Sequence, residues 1–164
     1  ESGFAEAGGR VGPDGRRMGI EDNVSYGDTA SQASVVRLTA DLVELCGAAL
    51  DKRGDKEQAE WDTSAGVGVV LAAGGYPNAY SKGDAISGLD AVQGEGVKVF
   101  HACTRVDDGR VVTSGGRVLC VCALGEDVAI AQARAYEAVA KISWKNMYCR
   151  HDIGHRAIAR LGGR

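Results

Sequence analysis

The chain has 164 residues, 45% of them hydrophobic, with 19 Lys and Arg against 22 Asp and Glu and a formal net charge of -3. This length suffices for one domain, or one domain with a small appendage, and for a substantial hydrophobic core. The two signs of charge are interspersed without a basic run, which argues against a nucleic-acid-binding protein. The longest apolar run, residues 67–73, is far shorter than the roughly 20 residues of a membrane-spanning helix, so the sequence predicts a soluble protein without membrane insertion.

The numbers and positions of the cysteines and glycines indicate the compartment and the fold class of the protein. The five cysteines lie in apolar segments without the spacing of a zinc finger or a redox motif, which predicts reduced, buried thiols in a reducing compartment, either the cytoplasm or an organelle interior. The 24 Gly against two Pro indicate many tight turns between short elements and exclude a helix-only protein. The cysteines are Cys46, Cys103, Cys120, Cys122 and Cys149.

The first 15 residues mix Gly with small residues and show no hydrophobic period, which predicts a loose lead-in closed by a turn at residues 13–15.

A strand is predicted over residues 16–26. It carries Glu21 and Asn23 two positions apart, so the strand period of two places both oxygen-bearing side chains on one face. Such oxygens are suitable ligands for Mg²⁺, and phosphates and water would fill the rest of its octahedral coordination. In an arbitrary sequence, the simpler interpretation is a strand whose polar face is exposed to water.

One amphipathic helix is predicted over residues 31–52, with Ser31 as its cap and Gly54 as its stop. Its apolar positions recur at steps of three and four, which is typical of a helix with one buried face. This stripe is either core or an interface for another part of the protein. Its members are Val35, Leu38, Leu42, Leu45 and Ala49.

The rest of the chain is predicted to be rich in strands and turns. A charged connection at 51–60 leads to a buried strand at 65–73, for which a short helix is the alternative. A turn-rich segment then leads to a β-meander. A second helix starts at an acidic residue, and a strand, a turn and one helical turn end the chain. This order is typical of an α+β fold. The meander strands are predicted at 97–105, 110–113 and 117–123, and the second helix at 127–142.

Seven segments follow one another in the order and spacing of one enzyme family. They are DLVELC (41–46), GVVLAAGGYP (68–77), YSKGDAISGLD (80–90), VKVFHACT (97–104), VVTSGGRVLCVCALG (111–125), AQARAYEAV (131–139) and RHDIGHRAI (150–158). Together they resemble the C-terminal portion of glycinamide ribonucleotide synthetase, the phosphoribosylamine–glycine ligase of de novo purine synthesis. The resemblance covers about residues 15–160, and collinear segments of this number are far more specific than a single short motif.

The resemblance implies an ATP-grasp enzyme and its chemistry. In that family ATP phosphorylates the carboxylate of glycine, and the amine of phosphoribosylamine attacks the acyl phosphate to form an amide, while Mg²⁺ stabilises the phosphoryl oxygens. Glu21 and Asn23 match the family's metal ligands. The implied architecture is a lead-in at 1–15, a strand-and-helix remnant of the ATP-grasp C-terminal lobe at 16–54, and a small, mostly antiparallel β domain of the rudimentary hybrid-motif type at 55–164.

The second half of the motif strand departs from the family. Where the family has Arg, an aromatic residue, Gly, Asp, Pro, Glu, a small residue and Gln, this chain reads SYGDTASQ over residues 25–32. Asp28 is retained and is a candidate substrate-binding residue, whereas Ser25 and Ala30 replace a guanidinium and a carboxylate. A hydroxyl does not reproduce the planar charged fork of Arg, and loss of a charge-assisted hydrogen bond costs about 1.5–3 kcal/mol.

Gly115, Gly116 and Arg117 are further candidates for substrate binding. Such a turn can point backbone N–H groups and a guanidinium at an anion. The competing interpretation is a hairpin turn whose Arg pairs with a neighbouring carboxylate. Nearby in sequence, the glycine of the family's His-Ala-Gly-Thr segment reads Cys103, which adds a side chain where close backbone approach to a ligand is expected.

Two hypotheses of function follow. In the first, the chain is the C-terminal part of a glycinamide ribonucleotide synthetase-like ligase, either cut from a longer chain or working beside separately encoded ATP-grasp lobes. In the second, the domain has lost catalysis and serves as a structural or accessory subunit of a larger assembly. The family uses Mg²⁺ and ATP, but the lobes that clamp ATP precede this region in the family, so the chain alone is expected to bind neither and to be inactive.

Overall fold

The computed structural model describes residues 6–11, 17–23, 31–54 and 56–162. The described residues fall into two compact units, of which one contains β1, β2 and Leu38–Asp62, and the other contains Gln32–Arg37 and the chain from Thr63 onward. Helices combined with antiparallel sheets confirm the predicted α+β class. The elements are β1 (Glu6–Val11), β2 (Arg17–Asn23), α1 (Gln32–Val35), α2 (Leu42–Leu50), β3 (Ala65–Ala72), β4 (Val97–His101), β5 (Thr104–Asp107), β6 (Arg110–Thr113), β7 (Arg117–Gly125), α3 (Val128–Val139) and α4 (His155–Gly162).

The first unit contains an antiparallel ribbon that sequence reasoning found only in part. β2 lies within the strand predicted at 16–26, but β1 lies where a loose lead-in is predicted, and that expectation is wrong for residues 6–11. The β1 sequence EAGGRV has little strand propensity, and its pairing with β2 decides its conformation. The register shifts between Gly8, opposite Glu21, and Gly9, opposite Gly19, which makes a β-bulge.

The single helix predicted over residues 31–52 is wrong, because the chain breaks it into α1 and α2. Between the two helices Leu38 forms an isolated antiparallel bridge with Trp61. The Thr39 N–H donates to the Glu60 carbonyl at 2.9 Å, so the backbone bonds to a distant strand-like segment at this point. The apolar steps of three and four continue across the break, which is why periodicity alone did not reveal it.

α2 has a cap of its own. The Asp41 carboxylate accepts hydrogen bonds from the Val43 N–H at 2.7 Å and the Glu44 N–H at 3.2 Å. Ser31, the predicted cap, is instead buried, and its hydroxyl has no hydrogen-bond partner among the described residues. Asp41 therefore supplies an acceptor for the otherwise unsatisfied N–H groups of the first turn.

The second unit is built on a three-stranded antiparallel sheet in the order β3-β7-β4. Val121 of the central strand lies opposite Val69 on one side and Val99 on the other. The predicted β-meander is wrong, because β5 and β6 form a separate hairpin between β4 and β7. The strand predicted at 97–105 accordingly splits at residues 102–103. The hairpin turn itself is confirmed, with φ of 45° at Asp108 and 73° at Gly109, as a two-residue primed turn requires.

The core lies between this sheet and α3, which packs on β3 and β7. Ala131 and Ala135 of α3 are fully buried, and their small side chains let the helix lie close to the sheet. Asp127 caps α3 by accepting from the Ile130 N–H at 2.8 Å, so the predicted helix and its acidic start are confirmed. The largest fully buried core side chains are Leu71, Leu119, Ile142, Val69, Val118 and Val121.

The cysteines are only partly as predicted. All five are free thiols, and Cys120, Cys122 and Cys149 are buried, whereas Cys46 is exposed and Cys103 is half-buried. The sulfurs of Cys120 and Cys122 lie 3.7 Å apart on one face of β7. The hydrogen bond to Cys120, together with burial, raises the pKa of the Cys122 thiol, which stays protonated at neutral pH. The packing role predicted for this pair is consistent with that geometry.

The C-terminal segment returns to the sheet and then forms a helix. Tyr148 exchanges two backbone hydrogen bonds with Ala72, at 2.8 and 3.0 Å, which extends the edge of β3. α4 then runs for eight residues, longer than the one predicted turn. Within the residues that are described, no helix combines the length and apolar character needed to cross a bilayer.

Candidate functional site

Glu21 and Asn23 both lie on β2, as predicted. Asn23 is opposite Glu6 in the ribbon and Glu21 is opposite Gly8, directly at the bulge. Alternate positions of a strand share a face, so the backbone is compatible with a joint role for positions 21 and 23. A carboxylate and an amide are the kind of oxygen donors that Mg²⁺ takes, with phosphates and water filling the other positions. The third residue of this motif, Asp28, lies outside the described residues, as do Ser25 and Ala30.

Gly115, Gly116 and Arg117 lie together where the chain passes from β6 into β7. β6 pairs with β5, whereas β7 pairs with β3 and β4, so this turn joins two sheets. The turn is therefore not a hairpin turn, whereas the predicted pairing of Arg117 with a neighbouring carboxylate stays a prediction. Neither glycine has a positive φ, so the turn lacks the αR–αL pair of a typical anion-binding nest. Both glycines are buried and the side chain of Arg117 is exposed.

The need for glycine at position 115 comes from packing against Cys103. A Cβ on Gly115 would lie 2.6 Å from the Cys103 Cβ and 2.7 Å from its sulfur. The two segments are also joined by backbone bonds, since the Ser114 N–H donates to the Cys103 carbonyl at 2.9 Å and the Cys103 N–H to the Arg117 carbonyl at 3.1 Å. The Cys103 side chain thus fills the space beside the turn.

Gly116 is held against the turn that follows β3. A Cβ on Gly116 would overlap the ring of Tyr76, and the Gly116 carbonyl accepts from the Ala73 N–H at 2.8 Å. Tyr76 is exposed on its other side and contacts Tyr80 with ring centroids 6.0 Å apart. The surroundings of the Gly115–Arg117 turn are therefore the Tyr76 ring and the Cys103 side chain, and neither was predicted from sequence.

The hydrogen bonds between Thr113 and the segment at 83–84, beside the Gly115–Arg117 turn, were also not predicted from the sequence. Thr113 is fully buried, and its hydroxyl accepts from the Asp84 N–H at 3.1 Å while its own N–H donates to the Asp84 carbonyl at 3.0 Å. The Gly83 N–H donates to the Thr113 carbonyl at 2.7 Å. These bonds connect the segment at 83–84 to the end of β6. From the sequence this segment was predicted only as a turn, because no hydrophobic period indicates its partner.

Within the described part of the chain, no group of three or more His, Cys, Asp or Glu side chains could hold a metal ion. His101 donates to or accepts from the Thr104 hydroxyl at 2.9 Å on the edge strand β4. His151 stacks on Tyr136 with ring centroids 6.1 Å apart. These histidines are accounted for by packing and local hydrogen bonds.

Comparison with known proteins assigns the family. Residues 66–156 match the family described as phosphoribosylglycinamide synthetase, C domain. That segment contains all of the three-stranded sheet except its first residue, the β5–β6 hairpin, the Gly115–Arg117 turn and α3. The chain belongs to this family.

The likeness extends beyond the phosphoribosylglycinamide synthetase C domain. Over 159 residues the chain is 54% identical to the phosphoribosylamine–glycine ligase of Vibrio vulnificus, an alignment that includes 97% of this chain and 37% of that protein. The chain thus spans little more than a third of the length of the curated relatives that it matches. The segments of the resemblance drawn from sequence are confirmed as those of a ligase C-terminal portion.

The solved structures that resemble this chain are C-terminal parts of ATP-grasp proteins. The phosphoribosylamine–glycine ligase of Thermotoga maritima superposes with a TM-score of 0.73 at 32% identity, over 90% of this chain and 36% of that one. The biotin carboxylase domain of the Hydrogenobacter thermophilus 2-oxoglutarate carboxylase superposes with a TM-score of 0.58 at 11% identity, over 88% of this chain and 32% of that one. The second likeness concerns the fold alone.

Proposed function

We propose that this chain supplies the C-terminal portion of a phosphoribosylamine–glycine ligase. The observation that carries the proposal is the alignment of nearly the whole chain with the Vibrio vulnificus ligase, including the segments around β2 and the Gly115–Arg117 turn. The reaction would use ATP to join the carboxylate of glycine to the amine of phosphoribosylamine. The division into a lobe remnant at 16–54 and a β domain at 55–164 belongs to the same proposal.

The candidate site residues lie in two parts of the chain, one of which would hold the metal ion while the other would contact the substrate. Glu21 and Asn23 would hold Mg²⁺, which stabilises the phosphoryl oxygens when it is bound. The exposed Arg117 and the N–H groups of Gly115 and Gly116 would contact an anionic substrate group, and within the described part neither N–H group donates to a backbone carbonyl. Asp28 would contact substrate from the segment that follows β2.

The ATP-clamping lobes would be the partner of this chain. The curated relatives carry nearly two thirds of their length outside the aligned segment. A nucleotide site needs a positively charged or backbone-lined cradle for phosphates, and the residues described here contribute only the candidate metal and anion contacts. We therefore propose that ATP is bound jointly with lobes of the kind that precede this segment in the relatives.

A chimera tests the proposal. The C-terminal segment of the Vibrio vulnificus ligase is replaced by this chain, and ADP formation is measured with and without glycine and phosphoribosylamine. We expect turnover that depends on both substrates and that Glu21→Ala lowers by about 100-fold or more, because a metal ligand is lost. Glu95→Ala, which removes an exposed carboxylate from the turn before β4, is the matched control and should leave the rate unchanged. A folded chimera without substrate-dependent turnover contradicts the proposal.

A non-catalytic accessory subunit is the second candidate. The observation that favours it is the loss of a guanidinium and a carboxylate at Ser25 and Ala30, next to intact Glu21 and Asn23. This candidate predicts that the native protein elutes in gel filtration with other subunits, and that the folded chimera has only background activity. Turnover abolished by Glu21→Ala would exclude it.

A further inference from the structure

The helix α2 is apolar on nearly all of its sides. Its nine residues, LVELCGAAL, contain one charged side chain, that of Glu44. The face that the sequence predicts as core or interface is only half-buried at Leu42, Leu45 and Ala49, and Ala48 is the one buried residue of the helix. A helix without a polar face is ordinarily buried on every side, so α2 lacks part of the cover that its composition requires.

The exposed stripe of α2 consists of Val43, Cys46 and Leu50. Steps of three and four residues place these side chains on one side of the helix, away from the half-buried face. Val43 is 79% exposed, Leu50 is 83% exposed, and the Cys46 thiol is free and exposed. A Cβ built on Gly47, on the same side, would meet no heavy atom of the described residues within 4 Å, so the space in front of the stripe is open.

This stripe differs from an isolated exposed apolar residue, which is common on protein surfaces and needs no partner. Val106 of the β5–β6 hairpin is an isolated case, since it is 72% exposed and lies between the charged Arg105 and Asp107. In α2, three apolar side chains follow one another along the helix. The same unit of the chain also contains Trp61, which is 46% exposed and bridged to Leu38 just before α2. Tryptophan is enriched at the energetic centres of protein interfaces.

A second copy of the chain is a poor match for the exposed stripe. At a rise of 1.5 Å per residue, the nine residues of α2 form a helix about 14 Å long. One side of such a helix is far smaller than the roughly 800 Å² that each partner buries in a stable complex. The stripe therefore suits a partner that a covalent link or further contacts hold beside it.

We propose that the exposed stripe of α2 packs against an apolar surface of the ATP-clamping lobes. The proposal rests on the proposed function, in which this chain completes a ligase. The curated relatives carry nearly two thirds of their length outside the aligned segment, in the same polypeptide, which supplies the covalent link. Val43, Cys46 and Leu50 would then belong to the core of the complete protein, although they are exposed in this chain.

Alkylation of Cys46 by N-ethylmaleimide tests the proposal without any measurement of turnover. The rate is followed by mass spectrometry of the peptide that contains Cys46, in the chain alone and in the folded chimera with the Vibrio vulnificus ligase. We expect a reaction at least about tenfold slower in the chimera, because thiol reactivity requires access. Val106→Cys supplies the matched control, since its thiol, on the β5–β6 hairpin, should react equally fast in both proteins.

A charge placed in the exposed stripe should undo the protection. Leu50→Glu in the chimera should restore most of the Cys46 rate, because an unpaired carboxylate cannot be buried against an apolar surface without a large cost. In the chain alone Leu50 is exposed, so the same substitution should leave the fold and the Cys46 rate unchanged. Val106→Glu should leave Cys46 protected in the chimera.

Three outcomes would overturn the proposal. They are equal Cys46 rates in the chain and the folded chimera, a Leu50→Glu chimera as well protected as the wild type, or slow reaction in the chain alone together with a dimer in sedimentation velocity, which would assign the stripe to a second copy. An active chimera with a reactive Cys46 would contradict only the docking. An inactive chimera with a protected Cys46 would contradict only the proposed ligase activity.

Discussion

The Cys103 side chain packs against Gly115 at the turn that leads into β7. Gly115→Ala is expected to lower the free energy of unfolding by about 1–3 kcal/mol, because the added methyl group would meet the Cys103 side chain. Cys103→Gly should remove most of this cost, since it vacates the space. Urea denaturation of the two single variants and the double variant measures the coupling, which neighbours of this kind show at about 0.5–3 kcal/mol.

Gly47→Ala is the matched control for that experiment. Gly47 lies inside α2, and its added Cβ would have no heavy atom within 4 Å. The substitution should stabilise by about 0.5–1 kcal/mol through helix propensity alone. Strictly additive effects of Gly115→Ala and Cys103→Gly would contradict the packing argument.

At the scale of the element, the sequence predicted the wrong cap residue, Ser31, for a single helix, whereas Asp41 caps α2. Asp41→Ala removes the acceptor for two N–H groups of the first turn and should cost about 1 kcal/mol of helix stability. Faster hydrogen exchange of the amides at Val43 and Glu44 would report this loss. Ser31→Ala should not have that effect, because the Ser31 hydroxyl has no partner in the described structure. Equal effects of the two substitutions would contradict the assigned cap.

The elements that sequence reasoning found are those with a local signal. β3 is a continuous apolar run, α3 has both an acidic cap and a periodic stripe, and the β5–β6 hairpin has Asp108-Gly109 at its turn. Each of these signals lies within about a dozen residues. Local patterns of this kind are sufficient when the buried face and the turn chemistry agree.

The features that it missed depend on pairing between segments. β1 forms through pairing with β2, and the break before α2 coincides with the Leu38–Trp61 bridge. The strand β7 was predicted, but its pairing with β3, in which Val121 lies opposite Val69, was not. The same limit applies to the site. Glycine at 115 and 116 suggested an anion turn, but the contacts of Cys103 and Tyr76 with those glycines depend on tertiary packing that no local period encodes.

At the scale of the whole molecule, the candidate residues belong to two units of the chain. Glu21 and Asn23 lie on the β1–β2 ribbon, whereas the Gly115–Arg117 turn lies in the unit built on the three-stranded sheet. The relatives carry this segment within proteins nearly three times as long. A ligase made with this chain would therefore depend on residues from several parts of a longer assembly, and a substitution in one part can limit the whole reaction.

Restoring the family's charged residues after β2 tests whether such a limit operates. In the chimera with the Vibrio vulnificus ligase, Ser25→Arg and Ala30→Glu should each raise the rate of ADP formation by about 10- to 100-fold, because each restores a charge-assisted bond worth about 1.5–3 kcal/mol. Ser25→Gln and Ala30→Gln restore length without charge and should have little effect. An unchanged rate in the charged variants would mean that Ser25 and Ala30 are compatible with full catalysis, and that the departure from the family carries no functional loss.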